Sequence, residues 1–397
     1  MQAETPISVP SKQENPVDEK GSSPCLSPKS GLVISYNEAN DIQASNKQQY
    51  QENSVLGITI RLEKVLLDIM HADSTADFDS KISNAYRDMF IKIEEPTPTL
   101  IRLRPGIDNF LKSITEHFKI VLISGLDQYI INEVVKRLDP MHTYFGNRIY
   151  RDQDFDFKND ENNYYLFPPS SDLTVILDTS RDHWKNDNGF TFSGFVFVCP
   201  YNYFQPSTII NVSEDIALPL VSKLDSVLFG LSRYLEQIHL FYYVKKVDSI
   251  VLSIGFAQHP ILKGCYICIP DLSPEEAKNF DILIARFGGK FMPSYDSAAT
   301  HLVISSKDSP AIAQASQYNG VYITTIGWIV DTFTHYEKKD ERNYPLIGVD
   351  SPTHGPNPIE QYTGESSTDI SSGDIDYEDS SDSYSDEEMT REYLEFY

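Results

Sequence analysis

Lys64-Val-Leu-Leu-Asp-Ile-Met-His-Ala72 is the stretch whose reading decides the fold. Val65, Leu66 and Leu67 are three aliphatics running straight into Asp68, the pattern of a short buried strand that stops at the acid. In open α/β sheets, ligands bind just past the carboxyl ends of the strands. An aspartate there is placed to act as a nucleophile or a metal ligand. Strand ends also carry acids as ordinary turn formers, so the surrounding chain has to decide between the two.

Downstream, strand and helix patterns alternate. Asp73–Thr99 is polar and mixed, an insertion with a helix expected near Lys81–Phe90. Leu103-Arg-Pro-Gly106 is a turn signal, and Ile107, Phe110, Leu111 and Ile114 then recur at helical spacing. Phe118–Ser124 reads as a buried strand ending in a hydroxyl. Gly125–Leu138 reads as a helix stopped by Asp139-Pro140. Leu173–Leu177 is a third strand, ending in Asp178, and Gly194–Cys199 a fourth, ending at Pro200. This alternation predicts a parallel sheet with right-handed crossovers. Asp68, Ser124 and Asp178 then gather along one sheet edge, with Lys158 between the second and third of these strands. An acid, a hydroxyl, a lysine and a second acid in this order point to phosphoryl transfer by a covalent aspartyl route.

Leu103-Arg-Pro-Gly, Leu138-Asp-Pro, Phe145-Gly-Asn-Arg-Ile, Leu166-Phe-Pro, Ile176-Leu-Asp-Thr-Ser-Arg-Asp-His-Trp184 and Cys199-Pro-Tyr-Asn-Tyr-Phe204 follow one another in the chain. In that order they resemble the catalytic domain of the TFIIF-associating phosphatases. Those are haloacid-dehalogenase-fold enzymes that remove phosphate from serines of the RNA polymerase II C-terminal repeat. The resemblance implies an α/β fold: a haloacid-dehalogenase-like parallel sheet flanked by helices, followed by a small α/β BRCT domain. It implies Asp68 as nucleophile, Ser124 holding a phosphoryl oxygen, Lys158 neutralising the transferring group, and Asp68 with Asp178 anchoring Mg²⁺. Such a site works by placing charge around the transferring group. The implied partner is the phosphorylated C-terminal repeat of RNA polymerase II, and the implied compartment is the nucleus.

The chain departs from the family pattern. Where Asp-x-Asp-x-Thr is expected, it reads Asp68-Ile-Met70-His-Ala72, without the second acid and the threonine. Loss of a general acid costs roughly 10²–10⁴ in rate. Thr179 replaces the second member of an acidic pair, and a hydroxyl is a weaker ligand for a hard cation than a carboxylate. A second register, Arg61-Leu-Glu63-Lys-Val65, leaves no nucleophile at all. The aliphatic run leading into Asp68 favours the first register. Glu161 is the other candidate for the position given to Lys158. Weakened activity, or a catalytically inactive scaffold or phosphorepeat-binding adaptor, is therefore expected.

Leu224–Tyr243 carries an amphipathic helical stripe, read as a packing bridge. Beyond it come a strand at Cys265–Ile269, a helix at Glu275–Phe287 ended by Gly288-Gly289, and a strand at Thr300–Ile304. A short helix at Pro310–Tyr318, a strand at Val321–Thr324 and a helix holding Trp328 complete the set. This resembles a BRCT domain. Phosphopeptide-binding BRCT domains pair a Ser/Thr and Gly with a Lys. Pro270-Asp271 and a lysine-free Ala311–Ser316 stand there instead, so protein docking or bracing is expected. His301 reads as a core histidine.

The 397 residues carry a net charge of −25, which argues against direct nucleic-acid binding because that needs a Lys/Arg surplus. The four cysteines show no paired metal spacing and read as core residues of a reducing compartment. No run of apolar residues is long enough to span a membrane, and Met1-Gln-Ala-Glu-Thr is not a secretory signal. The expected layout is a mostly disordered segment over 1–50, with a short strand or docking segment at Gly31–Tyr36. A phosphatase-like domain then spans 51–223, a helical connection 224–256, a BRCT domain 257–348, and a disordered acidic tail 349–397. From Glu360 onward, 13 acids face Arg391 alone, a net of −12. The resemblance implies that this tail holds a basic, TFIIF-like partner.

Overall fold

The structure, a computed structural model, describes residues 36–71, 84–146, 148–152, 171–184, 193–206, 209–211, 217–219, 225–304, 306–315 and 320–346. All of them fall within one compact unit. The first half runs α1 (Tyr36–Glu52), β1 (Leu56–Arg61), β2 (Leu67–His71), β3 (Phe90–Ile93), β4 (Thr99–Leu103), α2 (Ile107–Ile114), β5 (Phe118–Ser124), α3 (Gln128–Leu138), β6 (Ile149–Arg151), β7 (Thr174–Asp178) and β8 (Phe195–Phe197). A short antiparallel pair, β9 (Ile209–Asn211) and β10 (Ala217–Pro219), leads to α4 (Val227–His239) and α5 (Ile250–Gln258). The second half comprises β11 (Tyr266–Cys268), α6 (Pro274–Arg286), β12 (Lys290–Met292), β13 (His301–Ile304), α7 (Ala311–Ala315), β14 (Tyr322–Thr325) and α8 (Ile326–His335).

The main sheet is fully parallel, in the order β6-β5-β1-β7-β8. Its centre is β1, Leu56-Gly-Ile-Thr-Ile-Arg61, with every residue buried. A central strand covered on both faces has no need of polar–apolar alternation. Here Gly57, Thr59 and Arg61 interrupt the apolar run and disguise it. This corrects the expectation that Val65–Asp68 is the sheet's first strand. After β1, residues 62–66 form a tight turn, with Leu66 N donating to Leu62 O at 3.1 Å and Lys64 at φ 62°. Asp68 then lies on β2, at one edge of a separate antiparallel sheet ordered β2-β4-β3. The helix expected near Lys81–Phe90 is a 3₁₀ turn over Asn84–Met89 leading into β3.

The N-terminal expectation is also corrected in part. Residues 36–52 form α1, and Tyr50 is buried, its carbonyl accepting from the Tyr243 hydroxyl at 3.2 Å. Residues 31–35 of the expected short strand lie outside the described residues, as does the tail from 347 onward.

The second half is a parallel four-stranded sheet, β12-β11-β13-β14. The Ser273 side chain and Glu276 close a capping box at the start of α6. Gly288, at φ 78°, ends the helix, and a Cβ there would stand 1.8 Å from the His259 carbonyl oxygen. The buried His301 ring stacks on Trp328 with centroids 4.5 Å apart. Its Nε2 meets Glu341 Oε1 at 2.9 Å, which also takes Lys338 Nζ at 2.9 Å. His301 is thus a core residue.

The halves share one hydrophobic core. The buried stripe of α4, including Leu231, Tyr234 and Leu235, packs against α2, α5 and α8. Tyr234 stacks on Tyr336 at 4.2 Å, and the Tyr336 hydroxyl donates to the Phe197 carbonyl at 2.9 Å. A single residue of the second half therefore touches both the bridging helix and the end of β8.

Candidate functional site

The register of the parallel sheet fixes what stands at its carboxyl edge. Ile60 pairs with Leu177 and Leu122, so the next residue of β1, Arg61, comes level with Asp178 at the end of β7. Ser124 ends β5 and pairs with Arg151, beside Asp152. The edge residues are thus Arg61, Ser124, Asp152 and Asp178, with Glu63 in the turn after β1.

Arg61 is buried and bridges two acids. Its Nε donates to Asp178 Oδ2 at 3.1 Å and its Nη1 to Asp152 Oδ2 at 2.6 Å. Asp178 Oδ2 also accepts from Trp184 Nε1 at 2.8 Å and lies 2.9 Å from His183 Nδ1. Its Oδ1 accepts from the Thr179 amide at 2.6 Å. Burial alone would push the Asp178 carboxyl up. The His183 hydrogen bond and the Arg61 charge outweigh it and hold the carboxyl below the usual range. The same Asp178 bond pushes the half-exposed His183 up, against the lowering effect of burial. Burial would lower Arg61, but the charges of Asp178 and Asp152 overcome it and raise it.

Glu63, in the turn after β1, also acts on Arg61 through its charge. Its Oε1 accepts from the Gly125 amide at 2.5 Å. Burial pushes Glu63 up. A Cβ on Gly125 would stand 3.0 Å from Asp152 Oδ2 and 3.2 Å from Glu63 Oε1, which measures how closely the acids gather.

Of the residues expected from the sequence, Ser124 and Asp178 stand on this edge. Asp68 does not. Its carboxylate is buried and takes Lys64 Nζ at 2.5 Å, the Ile69 amide at 2.9 Å and the Phe204 amide at 2.8 Å. None of these is a partner of Asp178, so the expected facing of Asp68 and Asp178 is corrected. Asp68 ties the antiparallel sheet to the loop carrying Tyr201–Phe204. Its cross-strand neighbour Arg102 lies over the rings of Phe90 and Tyr203, at 4.6 and 5.2 Å. Lys158 and Glu161 lie outside the described residues. Arg61, Glu63, Asp152, His183 and Trp184 were missed as edge residues. The register Arg61-Leu-Glu63-Lys-Val65 was the signal that could have found the first two.

The donor set limits the chemistry. A guanidinium has five donors and no acceptor, so Arg61 cannot attack phosphorus. Mg²⁺ demands near-octahedral oxygen ligation. At this edge a fixed cation already takes Oδ2 of Asp178 and Oδ2 of Asp152, and Thr179 supplies no carboxylate. Among the described residues no group of three or more His, Cys, Asp or Glu is arranged to hold a metal. Among the described residues, those at this edge do not fit the ion.

Residues 62–244 match the NLI interacting factor-like phosphatase family, and residues 257–333 match the BRCA1 C Terminus (BRCT) domain. RNA polymerase II C-terminal domain phosphatase-like 4 of Arabidopsis thaliana is 23% identical over 266 residues, covering 62% of this chain and 58% of its own length. This chain is homologous to the RNA polymerase II C-terminal domain phosphatases. RNA polymerase II C-terminal domain phosphatase-like 3, also of Arabidopsis thaliana, is 23% identical over 347 residues, 77% of this chain and 27% of that one. The chain thus spans from about a quarter to somewhat over half of these curated relatives. The solved structure of Fcp1, an essential RNA polymerase II CTD phosphatase, superposes with a TM-score of 0.54 at 19% identity. It covers 77% of this chain and 99% of that one, so the two share a fold across both halves. Among the described residues no helix is long and apolar enough to cross a membrane.

Proposed function

We propose that this chain is a catalytically inactive phosphatase-fold adaptor that holds the RNA polymerase II C-terminal repeat without hydrolysing its phosphates. The observation that carries this is Arg61, a buried cation at the end of the central strand, where an aspartyl route requires a carboxylate. The names of its relatives support the repeat as ligand and the nucleus as compartment. The net charge of −25 supports protein partners over direct nucleic-acid contact. The acidic stretch from Glu360 onward supports a basic, TFIIF-like partner. No membrane role is proposed.

The competing reading is a weakened Mg²⁺-dependent enzyme using Asp68, Ser124, Lys158 and Asp178. The burial of Asp68 and its separate set of partners speak against it. A single-turnover assay on a phosphorylated repeat peptide with Mg²⁺, alongside fluorescence anisotropy on the same peptide, tests the proposal. Saturable binding with phosphate release at background is expected. Release above background that Asp178→Asn abolishes would overturn it, and so would the absence of any binding to phosphorylated or unphosphorylated repeat.

A further inference from the structure

We propose that Arg61 is the resident cation of this sheet edge: its guanidinium neutralises there the carboxylates that a divalent cation would otherwise neutralise, so the edge is complete without metal and admits none. The proposal deepens the inactive reading and rests on it.

Three carboxylates from different elements converge on the one guanidinium. Asp178 comes from β7, Asp152 follows β6, and Glu63 follows β1; all three act on Arg61 through their charge. Arg61 is 6% exposed and Asp178 fully buried. Its planar fork reaches Asp178 through Nε and Asp152 through Nη1, a two-acid geometry that a lysine ammonium cannot match. Charge-assisted bonds of this kind are about twice as strong as neutral ones. Because the cation is tethered to β1, it competes with free ions at a high effective concentration. A metal entering here would have to displace the guanidinium from both carboxylates. It would also need to shed water, which Mg²⁺ does reluctantly. Glu63 Oε2 is buried without a hydrogen-bond partner, so Arg61 meets this third acid through charge alone.

The Trp184 indole bonds Asp178, so a lanthanide seated at that carboxylate would be excited through tryptophan. The full chain should therefore show the same melting temperature in EDTA as in millimolar Mg²⁺, and no tryptophan-sensitised terbium luminescence. Arg61→Gln should melt about 6–12 °C lower in EDTA, recover part of that loss with Mg²⁺, and gain the terbium signal. Arg61→Lys, which keeps the charge but loses the fork, should fall between the two without gaining the signal. A wild-type terbium signal removed by Trp184→Phe, or an Arg61→Gln variant as stable as wild type, would overturn the assignment. If Arg61→Gln does not fold, the wild-type and Arg61→Lys measurements decide. Turnover in metal-free buffer would sink the proposed function and leave this assignment standing. Metal binding at this edge without turnover would do the reverse.

Discussion

The Nε of Arg61 lies 3.1 Å from Oδ2 of Asp178, the two residues standing level at the ends of neighbouring parallel strands with the acid wholly buried. A buried ion pair stabilises only when its geometry repays desolvation, and the Trp184, His183 and Thr179 contacts complete the Asp178 shell. The arrangement ties the end of the central strand β1 to the end of β7 and to the residue that follows the edge strand β6.

Breaking that pair from one side should be costly. Arg61→Met is expected to lose about 3–5 kcal/mol in urea unfolding, because it leaves a buried carboxylate uncompensated. Adding Asp178→Leu should give a double variant less destabilised than the sum of the two single losses, since the charges disappear together. Strict additivity would show that the two side chains are not energetically coupled.

Asp68 should behave as a structural residue. Asp68→Ala leaves the Ile69 and Phe204 amides and the Lys64 ammonium without their acceptor. A loss of about 1–3 kcal/mol is expected. Asp68→Asn, which keeps one acceptor oxygen, should lose less, and neither change should alter repeat-peptide affinity. A fall in peptide affinity at full thermal stability would instead place Asp68 in a binding site.

Gly230 is a point of close approach between the two halves. A Cβ there would stand 2.0 Å from the His335 carbonyl oxygen, backbone that has no rotamer to move away. Gly230→Ala should cost at least about 1–3 kcal/mol through overpacking and open the contact between α4 and α8. Limited proteolysis should then cut between the halves sooner than in wild type. An unchanged digestion pattern and melting temperature would show that the helices separate freely.

Acid should weaken the second half first. Burial, assisted by the Lys339 charge, lowers His335 from 6.5 to about 4, and burial also lowers His301. The unfolded chain protonates these rings more readily than the folded one. Their contribution is therefore whole above about pH 6.5 and is lost as pH falls toward the folded values; for His335 it amounts to about 3 kcal/mol at most. His183 runs the other way: its raised value gives stability that is present below about pH 6.5 and is lost as pH rises through it. Unfolding free energies measured between pH 7 and 5 should fall, and His335→Gln should flatten that slope. An equal slope in the variant would assign the acid sensitivity elsewhere.

Much of the architecture is legible in the chain because local signals and tertiary packing agree there. Phe118–Ser124 is an apolar run but for Lys119 and the terminal Ser124, and forms β5 over the same residues; Ile107, Phe110, Leu111 and Ile114 recur at helical spacing and are all buried on α2. The Gly288-Gly289 pair marks the end of α6 because a Cβ at Gly288 would meet the His259 backbone. The central strand was not legible on the same terms. Leu56–Arg61 carries Gly57, Thr59 and Arg61 between its aliphatics, whereas Val65–Leu67 offers a cleaner run into an acid.

The sequence by itself determined that this is a two-part α/β chain related to the C-terminal repeat phosphatases, since that rests on periodicity and on the order of motifs along the chain. Only the tertiary structure decided which residue stands opposite Asp178. Strand register is a relation between segments more than a hundred residues apart, and the local pattern favours the run into Asp68 until hydrogen bonding pairs Ile60 with Leu177. Once that pairing is made, the alternation of side chains along β1 leaves Arg61, and not Asp68, at the place where the chemistry would begin.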